Sequence, residues 1–107
     1  QPVSKIIQEI KDFANYHMAF YDEEGPCYHH DAVAVALQKD KPVFSKSILR
    51  EEFIGANVRY LFSDGSWALA RFSGTQPLLR YYAESEDPAF AKECIRVMEE
   101  FVNRFDR

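Results

Sequence analysis

Apolar side chains recur every three or four positions over residues 3–13, with charged side chains between them. This spacing predicts an amphipathic helix near the start of the chain. Residues 14–21 are aromatic and alternating, which indicates a strand. Residues 22–26, Asp-Glu-Glu-Gly-Pro, have the composition of a turn. The chain is therefore expected to begin with a helix, a strand and a turn.

Residues 31–39 are rich in Ala, Val and Leu and predict a second, shorter helix. Asp31 stands at its start, where a carboxylate can accept hydrogen bonds from the free N–H groups of a first turn. Pro42 follows Lys41 and cannot continue a helix, so the helix should end before it. Residues 43–47 then predict a short strand.

The second half of the chain has the pattern of a β-hairpin. Two alternating apolar runs, residues 57–62 and 67–72, flank the sequence Ser-Asp-Gly-Ser. An Asp-Gly pair between such runs is a strong local hairpin signal. The segment that begins at Pro77, Pro-Leu-Leu-Arg-Tyr-Tyr-Ala-Glu-Ser, predicts a further strand.

A closing helix is predicted after Asp87 and Pro88, which are typical of an N-cap and a first helical residue. Its apolar side chains form one stripe and its charged side chains face outward. Aromatic strands and two apolar helix faces together indicate an α+β domain, in which helices cover one side of an antiparallel sheet. The stripe consists of Phe90, Cys94, Val97, Met98, Phe101, Val102 and Phe105.

Composition narrows the class of protein. A chain of 107 residues with 47% hydrophobic residues is a single globular domain. No apolar run approaches the roughly 18 residues that span a membrane, and a net charge of −4 argues against a nucleic-acid binder. Two distant cysteines predict reduced thiols in a cytoplasmic protein. The start at Gln1 suggests a piece of a longer protein, although processing would leave the same start.

Two arginines, Arg71 and Arg80, flank a run of small and turn-forming residues. If they lie opposite each other on antiparallel strands, the two like charges need an anion, a carboxylate or divergent side chains. Loop N–H groups can bind anions, and a guanidinium suits phosphate. The pattern therefore predicts a phosphate site, while an ordinary turn between solvated arginines has the same composition. The run is Ser73, Gly74, Thr75, Gln76 and Pro77, in which Gly74 permits a positive φ and close approach by a ligand.

The segment DGSWALARFSGTQPLLRYYAES, residues 64–85, resembles the C-terminal domain of the α-D-phosphohexomutases, the phosphoglucomutase and phosphomannomutase superfamily. That family has a phosphate-binding loop of the form Arg-x-Ser-(Gly/Asn)-Thr-x-Pro, followed by a strand with a second arginine. The resemblance is specific over residues 57–105 and looser over residues 1–56. Gln76 departs from the Glu of many members, and we expect the loop to remain competent. The matching positions are Arg71, Ser73, Gly74, Thr75, Pro77 and Arg80.

The resemblance implies a fold and a role. The fold would be the TATA-binding-protein-like fourth domain, with about four to five antiparallel strands and two main helices on one face. Residues 14–107 would form this domain, and residues 1–13 would be a helix that leads in from a preceding domain. The loop would hold the non-reacting phosphate group of the substrate. Arg71 would supply most of the positive charge and Arg80 a second contact. Ser73 and Thr75 would contribute hydroxyl groups, and Gly74 would contribute a backbone N–H.

The resemblance also implies an isomerase that interconverts hexose 1-phosphate and 6-phosphate. Its Mg²⁺ and phosphoserine would lie in the preceding domains, because the serine, metal and sugar-recognition loops of the family are missing from this chain. The chain alone would then carry no catalytic or metal-binding residue and would be inactive. Its partners would be a phosphosugar and the preceding domains. The alternative is a stand-alone, non-catalytic module that binds a sugar phosphate.

Two other features have both a functional and a structural interpretation. The segment Cys-Tyr-His-His-Asp, residues 27–31, contains possible metal ligands, but the residues of an ordinary turn explain it better. Trp67 follows the Asp-Gly turn and could stack on a sugar. A cross-strand or core aromatic is the more common role of such a residue.

Overall fold

The computed structural model describes residues 18–107, in which five strands form one antiparallel sheet of order β1-β5-β4-β3-β2. Two helices pack on one face of this sheet, so the predicted α+β class is confirmed. The helix predicted over residues 3–13 lies outside the described residues. The elements are β1 (Ala19–Pro26), α1 (His30–Lys39), β2 (Ile48–Ile54), β3 (Asn57–Phe62), β4 (Trp67–Phe72), β5 (Leu78–Ser85) and α2 (Pro88–Phe105).

The core lies between the helices and alternate residues of the central strands. Along β3 and β4, buried side chains alternate with more exposed ones, as expected for a sheet with one covered face. Tyr60 is fully buried, and its hydroxyl donates a hydrogen bond of 2.8 Å to the Leu37 carbonyl, which joins β3 to α1. The buried face of α2 consists of Phe90, Ala91, Cys94, Ile95, Met98, Phe101 and Val102. Val97 and Phe105 of the predicted stripe lie at its margin and are partly buried.

The hairpin and the closing helix form as their local signals predict. Strands β3 and β4 have the predicted ends, and Gly65 in the turn between them has a φ of 90°. Only glycine adopts such a conformation without strain, which explains the Asp-Gly pair. The Asp87 carboxylate accepts a hydrogen bond of 3.0 Å from the Ala89 N–H, so Asp87 is the N-cap of α2.

The strand predicted over residues 14–21 was wrong at its C-terminal end, and residues 14–17 of that prediction lie outside the described residues. The supposed turn over residues 22–26 belongs to β1, which pairs with β5 from Ala19 to Pro26. β1 is an edge strand, and its acidic side chains face solvent. Charged residues and proline are tolerated on such an edge, because one row of backbone groups has no partner strand. Residues 22–26 therefore form part of a strand although they have the composition of a turn.

Two further predictions were wrong. Residues 43–47 contain no strand; the strand lies later, at β2, which pairs with β3 as the other edge of the sheet. Asp31 does not cap α1, because the helix begins at His30 and has His29 at its N-cap position. The N–H groups of Tyr28 and His29, just before α1, donate hydrogen bonds instead to the carboxylate of Asp106, near the end of the chain.

No helix within residues 18–107 is long and apolar enough to cross a membrane.

Candidate functional site

Arg71 and Arg80 lie directly opposite each other in the sheet. The register of β4 and β5 makes them cross-strand partners, and both side chains are exposed. The residues next to them, Ala70 and Leu79, are buried under the helices. Because successive side chains of a strand point to opposite faces, both guanidinium groups lie on the face of the sheet away from the helices.

Only one of the two arginines has a carboxylate partner among the described residues. Arg80 Nε lies 3.4 Å from Glu24 Oε2, and Glu24 is its cross-strand partner on β1. Within residues 18–107, no salt bridge involves Arg71. The row Glu24, Arg80, Arg71 crosses three adjacent strands and carries one net positive charge. Arg71 is therefore the member of this row whose guanidinium group has no carboxylate partner among the described residues.

Ser73, the first residue of the loop between β4 and β5, makes hydrogen bonds that close this loop. The Ser73 hydroxyl oxygen accepts hydrogen bonds from the N–H groups of Thr75 and Gln76, at 3.3 and 3.1 Å. The Ser73 N–H donates to the Leu78 carbonyl at 3.1 Å. The Ser73 hydroxyl thus shapes the loop, and its hydrogen is still free to be donated. The N–H groups of Thr75 and Gln76 are thus used within the loop, whereas the resemblance assigns the Gly74 N–H to the phosphate.

Gly74 does not have the positive φ that the sequence suggested. Among the described residues, the glycines with positive φ are Gly55 and Gly65. A Cβ atom at position 74 would meet no heavy atom within 4 Å. Neither backbone conformation nor crowding within the described residues demands glycine there, and the space beside Gly74 is open to a ligand.

A cleft of about 560 Å³ separates this loop from the start of α1. Residues 73–77 form one wall and residues 28–32 form the other. The Cys27 N–H donates to the Pro77 carbonyl at 2.9 Å and joins the two walls at their base. Sequence reasoning treated the two histidines of residues 28–32 as turn residues and missed this wall. The histidines are separated from the loop by more than 40 positions, and only the pairing of β1 with β5 brings them together.

Asp106 holds the second wall in place. Its carboxylate accepts hydrogen bonds from the Tyr28 N–H at 2.9 Å, from the His29 N–H at 2.7 Å and from His29 Nδ1 at 3.1 Å. Burial raises the pKa of Asp106, but these hydrogen bonds lower it by more, so the pKa lies below its usual value. Asp106 is therefore an anion at neutral pH. Burial, together with Asp106, raises the pKa of the Cys27 thiol to about 11, which makes this thiol a poor nucleophile.

Trp67 has the contacts of a cross-strand aromatic residue. Its Nε1–H donates to Glu84 Oε1 at 3.0 Å, and its ring meets Phe20 edge-on at 6.0 Å between centroids. Trp67 begins β4, whereas Arg71 lies four positions further along the strand, next to the loop. These contacts favour the structural interpretation of Trp67. Among residues 18–107, no group of three or more His, Cys, Asp or Glu side chains is placed to hold a metal ion.

An antiparallel sheet with two helices on one face, and a polar loop between two arginine-bearing strands, is the arrangement expected for a phosphohexomutase C-terminal domain. The family model of the phosphoglucomutase/phosphomannomutase C-terminal domain matches residues 30–101, more than half of the 107 residues. The chain belongs to this family, whose enzymes are isomerases. A comparison with curated proteins found no match.

Proposed function

We propose that the loop between β4 and β5 binds the non-reacting phosphate group of a hexose phosphate substrate. The observation that carries this proposal is the pairing of Arg71 with Arg80 beside an open, hydroxyl-rich loop. Like charges directly opposite each other destabilise a sheet. A dianionic phosphate offsets this repulsion and can accept paired hydrogen bonds from a planar guanidinium.

Each of the five predicted site residues has a role in this proposal. Arg71 makes the main charged contact, because no carboxylate of the described residues competes for it. Arg80 divides its charge between Glu24 and the ligand. The hydroxyl hydrogens of Ser73 and Thr75 and the N–H of Gly74 complete the set, and the missing Cβ of Gly74 lets the phosphate approach the backbone.

In the whole enzyme this site serves as an anchor. A hexose phosphate must present either its 1-position or its 6-position to the reacting serine, so the other phosphate needs a fixed point of attachment. Binding energy from this remote group is converted into orientation of the reacting group. Mg²⁺ and the phosphoserine belong to the preceding domains, to which residues 1–13 lead, and residues 14–107 form the anchoring domain of this cytoplasmic enzyme. The chain alone binds the phosphosugar and does not catalyse.

The experiment is an NMR titration of the 107-residue chain with inorganic phosphate and with glucose 1,6-bisphosphate. We expect backbone amide shifts centred on residues 71–80 and their loss in Arg71→Ala. Hydrogen bonds to charged groups contribute about 1.5–3 kcal/mol, which corresponds to roughly a 10- to 150-fold weaker Kd.

Arg50→Ala is the matched control, because Arg50 is an exposed arginine on the edge strand β2 and bonds to Glu52. This variant should bind as the parent does. Absence of shifts at millimolar ligand, or equal binding by the parent and Arg71→Ala, would contradict the proposal.

A further inference from the structure

The two edges of the sheet differ in the side chains that they present to another chain. Within the described residues, β1 and β2 each have a partner strand on one side only. Such an edge leaves one row of backbone N–H and C=O groups open to a further strand. β1 carries three successive acidic residues, Asp22, Glu23 and Glu24, and ends at Pro26. A second copy of β1 would therefore place carboxylates against carboxylates, which protects this edge from self-association.

The other edge strand, β2, combines exposed apolar residues with charges of both signs. Its sequence is Ile-Leu-Arg-Glu-Glu-Phe-Ile. Leu49 is 71% exposed, Phe53 46% and Ile54 71%, whereas β1, over Ala19–Pro26, exposes no large apolar residue. Leu49 also lies in a β-bulge and is not paired with a residue of β3. Because apolar side chains gain free energy when another strand covers them, β2 is the edge that favours a partner.

β2 is complementary to itself in one antiparallel register. If two copies meet with Glu51 opposite Glu51, each Arg50 lies opposite the Glu52 of the other copy. Each Leu49 then lies opposite Phe53, and a twofold axis perpendicular to the sheet relates the two copies. A shift of this register by two residues in either direction would pair Arg50 with Arg50 or Glu52 with Glu52. The order of the charges therefore selects one register.

Contacts within one chain hold these charged groups in position. The Arg50 Nη2–H donates to Glu52 Oε2 at 3.0 Å, and the Arg59 Nε–H donates to Glu52 Oε1 at 2.9 Å. The Arg50 side chain is still 64% exposed. Glu51 points to the opposite face of the strand, where Lys41 Nζ lies 2.7 Å from its Oε2 atom. Two Glu51 side chains that meet at the twofold axis are therefore each neutralised by a lysine of their own chain.

We propose that β2 is a self-association edge, through which two copies of this chain join their five-stranded sheets into one continuous antiparallel sheet. The inference does not rest on the proposed function. Seven residues of strand from each copy form a smaller interface than the roughly 1,200–2,000 Å² of a stable complex. The dimer is therefore weak, and its population depends on the protein concentration.

Sedimentation equilibrium of the 107-residue chain, from micromolar to millimolar concentration, measures this association. We expect the average mass to rise from the 12.5 kDa of one chain toward that of two chains. Leu49→Lys should weaken the dimer about tenfold, because it removes an apolar contact with Phe53 of the other copy and adds a charge. Val43→Lys is the matched control: Val43 is 85% exposed but lies outside β2, so this variant should associate as the parent does.

Charge reversals test the register. Arg50→Glu places glutamates opposite glutamates, and Glu52→Arg places arginines opposite arginines. Each variant should therefore associate about tenfold more weakly than the parent. The double variant Arg50→Glu/Glu52→Arg puts opposite charges against each other again and should regain the affinity of the parent.

A parent chain that stays monomeric at millimolar concentration overturns the inference. If this monomer protects the β2 amides on the outer edge from hydrogen exchange, another segment of the same polypeptide covers the edge instead of a second copy. Association that is equally strong in Leu49→Lys and in both single charge reversals also overturns the inference, because another surface then joins the copies. A double variant that associates no better than the single reversals contradicts the proposed register.

Discussion

Arg71→Gln should make the ligand-free chain more stable while it weakens phosphate binding. Arg71 and Arg80 are cross-strand partners, which places their Cβ atoms about 4.5–5.5 Å apart. Two unit charges at roughly 6 Å in water repel each other by about 0.7 kcal/mol. A Debye length of about 8 Å at physiological ionic strength reduces this to roughly 0.3 kcal/mol. Removal of the Arg71 charge removes the repulsion, and Gln keeps a polar side chain on the surface.

Thermal unfolding in sodium chloride is the assay, at low and at high salt. For a domain of this size about 1 kcal/mol corresponds to roughly 4–8 °C, so Arg71→Gln should raise Tm by about 3–6 °C at low salt. The gain should shrink as salt is added. Arg80→Gln is the matched control: it removes the same repulsion but also the attraction between Arg80 and Glu24, so its Tm should stay close to that of the parent.

Added phosphate should reverse the order of stability. A ligand that binds only the folded chain stabilises it by RT ln(1 + [L]/Kd), so the parent gains Tm and Arg71→Gln gains little. The reasoning would be refuted by a lower Tm of Arg71→Gln at low salt, by a salt-independent effect, or by an equal gain in Arg80→Gln. Each of these results would mean that the two guanidinium groups do not interact as their register implies.

Three further predictions concern the loop, the pH dependence and the core. Gly74→Ala should leave the free energy of unfolding within about 0.5 kcal/mol of the parent and weaken phosphate binding in the NMR titration; equal binding would mean that no ligand uses the open space. Burial and the adjacent Glu23 raise the pKa of Glu99 to about 7, so the folded chain holds a proton that the unfolded chain releases, and this stabilisation is lost as pH rises through 7. Glu99→Gln should therefore be more stable than the parent at pH 8 and lose most of that advantage at pH 5 in urea unfolding, whereas a difference independent of pH would contradict this assignment. Tyr60→Phe should cost about 1–2 kcal/mol in urea unfolding, because the Leu37 carbonyl loses its buried donor; an unchanged midpoint would show that water replaces the hydroxyl.

Some features of the molecule follow from short stretches of sequence. The Asp-Gly turn, the N-cap at Asp87 and the apolar stripe of the last helix each depend on residues close together in the chain. Local hydrogen bonds and backbone preferences act over a few positions, so these elements were predictable. The loop with its two arginines was recognised in the same way, as a spacing of residue types.

The edge strands were harder to predict for a physical reason. β1 and β2 face solvent with many of their side chains, so they lack the apolar alternation of the central strands. Their strand structure depends on β5 and β3, which supply the hydrogen bonds across the sheet. A segment whose conformation is decided by a distant partner has a weak signal of its own.

By itself, the sequence determined the fold class, the hairpin, the closing helix and the residue types of the candidate loop. The tertiary structure decided what surrounds that loop. The β4–β5 register set Arg71 against Arg80, and the pairing of β1 with β5 brought the start of α1 to the loop. The Asp106 carboxylate is hydrogen-bonded to His29, although the two residues are 77 positions apart in the chain. Contacts of this kind arise only when packed elements place distant residues together, so no local spacing in the chain records them.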